Sequence, residues 1–129
     1  MKDKEFIEEF RDSPEGFGLD GTYYPTVMFL TGIDMGRSGG LLRGFTEWLV
    51  VRRGKCNNLY WHQLVLLDAF PDMRLQGWKS PEHLTPDQHR QAVENLFSLV
   101  LEFLDVRSNP RQLSRMYTQY EAMYAHIWG

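Results

Sequence analysis

The chain has 129 residues, with 14 Lys and Arg against 17 Asp and Glu, a net charge of -3 and a single cysteine. That length suits one domain with one core, and the acidic balance offers no general attraction to phosphate backbones, so nucleic acid is not an expected partner. Cys56 cannot form an internal disulfide, the opening MKDKEFIEEF is charged where a signal peptide needs an apolar run, and no stretch reaches the ~18 apolar residues of a membrane span; the cytoplasm is the expected compartment.

Four Trp, six Tyr and eight Phe point to a packed interior, and the periodicity predicts an all-α, single-domain bundle of about six helices with no strand. The first helix, from Asp3 or Lys4 to Arg11, gathers Phe6, Ile7 and Phe10 on one side and reads as short and peripheral. Residues 15–24 hold Gly16, Gly18 and Gly21, too many breaks for a helix, and form a loop expected to turn Phe17 and Leu19 inward. The second helix is expected over residues 25–35, with Pro25 at its first position and Val27, Met28, Phe29, Leu30 and Ile33 covering most of its surface, so that it too reads as buried.

Gly36-Arg37-Ser38-Gly39-Gly40 separates it from a third helix over residues 41–53, whose apolar arc is Leu41, Leu42, Phe45, Trp48 and Leu49, with Gly44 beside it as a point of close approach. A glycine-rich turn with an arginine invites comparison with a phosphate cradle, but no GxxxxGK[ST] pattern or preceding strand accompanies it, and a plain interhelical turn is the favoured reading. The fourth helix, residues 59–70, is capped by Asn57 or Asn58 and stopped by Pro71. Its polar residues His62, Gln63 and Asp68 point in three directions at about 100° per residue, which leaves it no polar face and makes it the expected buried centre of the fold. Residues 72–84 read as a polar loop carrying Trp78.

Thr85-Pro86-Asp87-Gln88 supplies a cap, a proline and a reciprocal glutamine for a fifth helix reaching about Val106, apolar on one side and polar on the other. Asn109-Pro110-Arg111-Gln112 repeats that grammar for the sixth. The sixth helix sets Leu113, Met116, Tyr117, Tyr120, Met123, Tyr124, Ile127 and Trp128 on one narrow arc. Tyr, Met and Trp are enriched at interface cores, so this stripe reads either as a partner or homodimer surface or as the face that docks the helix on its own domain.

Several side chains invite chemical readings. Arg52 projects into the apolar arc of the third helix and Asp68 lies among Trp61, Leu64 and Val65; both need partners, each other or Asp34 for Arg52, and a buried pair predicts a large stability loss on Asp68→Ala. His62, His83, His89 and His126 lack metal-site spacing, His89 reads as a satisfied core histidine, and no metal or cofactor is expected. Cys56, beside Lys55 and before a helix start, reads as a loop thiol rather than a nucleophile, and Glu47, on the polar arc of its helix, is a remote acid–base candidate.

The order Phe29-Leu30-Thr31-Gly32, Gly40 to Leu49, Asn57-Asn58-Leu59-Tyr60-Trp61 and Ala69-Phe70-Pro71 resembles a group of small uncharacterised bacterial proteins, over residues 5–105. The resemblance implies bacterial origin and supplies no catalytic positions; small standalone proteins of this kind are sometimes suspected of being immunity proteins for toxins. Two functional expectations follow. One is a non-enzymatic interaction, inhibitor or immunity module that recognises a protein partner, or itself, through Tyr117, Tyr120, Tyr124 and Trp128 or through the Trp78 loop. The other is a small-molecule site, enzymatic or sensory, between the third and fourth helices, lined by Trp48, Arg52, Trp61, His62 and Asp68.

Overall fold

The computed structural model describes residues 2–74 and 84–128, with side-chain environments through residue 125. Trp78 and His83 lie outside the described residues. Six α-helices and one 3₁₀ turn, and no strand, are found among the described residues: α1 Asp3–Asp12, the turn Pro14–Phe17, α2 Tyr23–Gly36, α3 Phe45–Arg53, α4 Trp61–Ala69, α5 Pro86–Arg107 and α6 Pro110–Trp128. The all-α single bundle is therefore observed.

Its hub is α5, which packs against each of the other five helices. Ala92, Leu96, Phe97, Leu99, Val100, Phe103 and Leu104 of α5 are buried, a stripe wide enough to serve neighbours on several sides. The expected start is present: Thr85 Oγ1 accepts the Gln88 N–H at 3.1 Å while Gln88 Oε1 accepts the Thr85 N–H at 2.9 Å. Helix α4 is wrapped only in part, between α3 and α5. Its buried residues are Gln63, Leu64, Val65 and Leu66, whereas Asp68 reaches solvent. It begins at Trp61 rather than 59 because Asn57 Oδ1 is spent on the Leu59 N–H in a local turn, and Gln63 Oε1 takes the Tyr60 N–H instead.

Helix α1 is not peripheral. Ile7 and Phe10 are buried, and Asp3 accepts from Arg107 at 2.6 Å and also pairs with Arg37, tying α1 to both α5 and the end of α2. Burial pushes the Asp3 carboxyl up, but the hydrogen bonds from Arg107 and Arg37 outweigh it and hold its pKa below the ordinary 3.8. In the loop before it meets α2, Phe17 is still partly exposed, with its ring edge-on to Phe10 at 4.6 Å.

Helix α3 starts four residues later than its hydrophobic pattern predicts, for two reasons. Gly44 takes a left-handed φ of 90°, which breaks the helix, and Asp34 Oδ1 accepts the Leu41 and Leu42 N–H groups at 3.1 and 2.6 Å, which satisfies the segment without helical bonds. Arg107 Nη1 closes the same loop from the other side by donating to the Gly40 and Leu41 carbonyls at 2.6 and 2.7 Å. The amides that follow the glycine-rich turn are thus taken by the chain's own carboxylate, and those within it by backbone carbonyls. Gly44 does permit close approach: a Cβ there would lie 2.7 Å from the Tyr117 hydroxyl and 3.4 Å from Phe103 Cζ.

Candidate functional site

A cleft of about 230 Å³ opens between α3 and α4, lined by Leu49, Arg52, Arg53, Leu64, Leu67, Asp68 and Pro71. Two of the five expected pocket residues meet there. Arg52 Nε lies 3.5 Å from Asp68 Oδ1 and its Nη1 lies 3.3 Å from Glu102 Oε1, so Arg52 pairs with Asp68 and not with Asp34. The pair is not buried: the side chains are 40% and 32% exposed, because both sit at the rim where α3, α4 and α5 converge. Asn95 Nδ2 donates to the other Asp68 oxygen at 3.0 Å, and the Arg52 guanidinium lies over the Trp48 ring at 5.7 Å. Arg52 and Asp68 are thus engaged by other side chains, while Arg53 lines the same cleft.

The remaining expected pocket residues are elsewhere. Trp48 is buried against Phe45 and Phe103, and Trp61 packs on Phe45 at 5.6 Å. His62 faces α2, its ring within 6.2 Å of Tyr24 and 5.7 Å of Tyr60. Burial holds the His62 imidazole below its ordinary value, and its Nε2 has no hydrogen-bond partner among the described residues. His89 Nδ1 accepts the Tyr23 N–H at 3.0 Å and so serves the start of α2. The Cys56 thiol donates to the Met123 carbonyl at 3.1 Å. Among the described residues no three of His, Cys, Asp and Glu converge as metal ligands, and no helix is long and apolar enough to cross a membrane.

The aromatic stripe of α6 is turned inward. Met116 is buried, and Tyr117, Tyr120 and Tyr124 are half-buried against the core. The Tyr124 hydroxyl donates to the Asn57 carbonyl at 3.0 Å and accepts the Asn57 N–H at 3.2 Å, pinning the 54–60 connection to α6. Burial raises the Tyr117 and Tyr120 hydroxyls above the usual tyrosine value. These three tyrosines pack against the chain's own core while keeping part of their surface, and the side chain of Trp128 lies outside the described environments.

The unpartnered apolar surface is on α2 instead, the helix expected to be buried. Tyr23, Thr26, Val27 and Leu30 face the core, while Tyr24, Pro25, Met28, Gly32, Met35 and Gly36 face solvent. Met28 is 49% and Met35 74% exposed. No charged residue lies on this face, since the one charge within α2, Asp34, is engaged by the Leu41 and Leu42 amides. Tyr60, half exposed, lies beyond the start of the helix with its ring on His62. An exposed helix face with aromatic and methionine side chains and no charge is uncommon on a free surface and typical of interface cores. Sequence periodicity could not find it, because an apolar face reads the same whether the chain or another molecule covers it.

Compared with protein-family models, curated proteins and solved structures, the chain matches none of them. Function has to be argued from these surfaces.

Proposed function

We propose that this protein is a non-enzymatic interaction module, of the inhibitor or immunity type in its mode of action, that works by docking a helical segment of a protein partner on the solvent face of α2. The observation that carries the reading is the uncharged strip of α2 made by Tyr24, Met28 and Met35, with Met28 about half exposed and Met35 more so. In the α3–α4 cleft Arg52, Asp68 and Glu102 are spent on one another, which disfavours that cleft as a small-molecule site. Such a module binds in fixed ratio and turns nothing over.

A photo-crosslinking residue placed at Met28, with Ser98 on the exposed side of α5 as control, tests it in cells that make the protein. Protein adducts from position 28 and not from 98 are expected. Equal labelling at both positions, or none at 28, would end the reading.

A further inference from the structure

We infer that the α2 face takes a second copy of this chain, packed antiparallel, with Met28 of each copy seated over Gly32 of the other. This rests on the α2 reading and names its occupant. Tyr24, Met28, Gly32 and Gly36 are spaced four apart and form one ridge of the helix, two large side chains followed by two absent ones. Reversing such a row about residue 30 sets Met28 against Gly32 and Tyr24 against Gly36, twice over by symmetry. A parallel copy would stack large on large and leave the glycines facing a gap.

Among the described residues a Cβ added at Gly32 or Gly36 meets nothing within 4 Å, so no described neighbour requires either glycine, although glycine inside a helix, as at position 32, costs about 1 kcal/mol relative to alanine. Gly32 has an ordinary helical backbone, so no left-handed turn demands it. A neighbouring molecule that approaches closely at that point would.

The charges that flank α2 fit the same arrangement. Exposed Asp20 precedes the helix and exposed Arg43 follows it, its Nη2 donating to the Ser38 carbonyl, while Arg37 is already held by Asp3 of the same chain. Antiparallel pairing brings the acidic end of one copy to the basic end of the other, where parallel pairing would oppose like charges. Helices meeting through four-spaced ridges cross near -50°, which concentrates contact on the turns at Met28 and Gly32. A single pair of 14-residue helices covers on the order of a few hundred Å² per copy, short of the ~800 Å² of a standard interface, so the association is expected to be reversible and micromolar.

Sedimentation velocity over a concentration series tests it on the full chain. A monomer–dimer equilibrium is expected, weakened at least about tenfold by Gly32→Leu while the thermal melt at low concentration shows the variant folded. Register is read separately in a Cys56→Ser background: an equal mixture of Met28→Cys and Gly32→Cys chains should form the mixed disulfide dimer faster than either forms its own. A monomer at every concentration, a Gly32→Leu variant that dimerises as before, or disulfides favouring like positions would overturn the inference. If the chain stays monomeric while position 28 still crosslinks another protein, the interaction reading stands and only the second copy falls; if neither occurs, both fall.

Discussion

Gly44 shows how one backbone position joins three helices. Its φ of 90° is one that side chains with a Cβ adopt only under strain, and the space a Cβ would need holds the Tyr117 hydroxyl of α6 and the Phe103 ring of α5. Gly44→Ala should therefore cost about 2–4 kcal/mol in a denaturant melt, strain and overpacking together. Adding Tyr117→Phe, which removes the clashing oxygen, should recover part of the loss; no recovery would mean the backbone alone sets the cost. The sequence marks Gly44 as a small residue beside an apolar arc, but which side chain fills the space is fixed by α6, more than sixty positions away.

At the scale of elements, helix boundaries were legible where the capping chemistry is local and illegible where it is not. Thr85 and Gln88 cap α5 from within four residues, and the pattern reads directly. The start of α3 depends on Asp34 and Arg107, which reach the Gly40–Leu42 backbone from two other helices, so apolar spacing alone placed it four residues early. Periodicity likewise marks α5 as one-sided, yet it counts no neighbours, and so it points to α4 as the centre. The Arg52–Asp68 pair was legible as a pair but not as a rim feature. At 40% and 32% exposure it is screened by water, and Asp68→Ala should change stability by less than about 1 kcal/mol, a shift of under about 4 °C in Tm. A drop several times larger would show the pair to be tighter than its exposure implies.

For the whole molecule the equivalent joint is Asp3, which links α1 to α2 and α5 through Arg37 and Arg107. Its carboxyl pKa lies below 3.8 in the fold, so its contribution is fully present above that value and is lost as pH falls through the folded pKa. Asp3→Asn should cost about 1–2 kcal/mol at neutral pH, and the gap from the native chain should close in acid below pH 3.8; a gap independent of pH would assign the loss to shape rather than charge.

The same joint sets a schedule for synthesis. Asp3 and Lys4 find their partners 104 and 101 residues later along the chain, on a helix that also supplies a wall for every other one. At ribosomal rates of about 5–20 residues per second, α5 emerges roughly 5–20 s after Ile7 and Phe10, and until then Phe10 has Phe17 and Phe29 to meet but not α5. The N-terminal segments share the Phe10, Phe17 and Phe29 cluster but lack the α5 wall, so a growing chain holds only part of its native packing. Emergence of α5, rather than stepwise assembly of the helices before it, is the event that lets this bundle close.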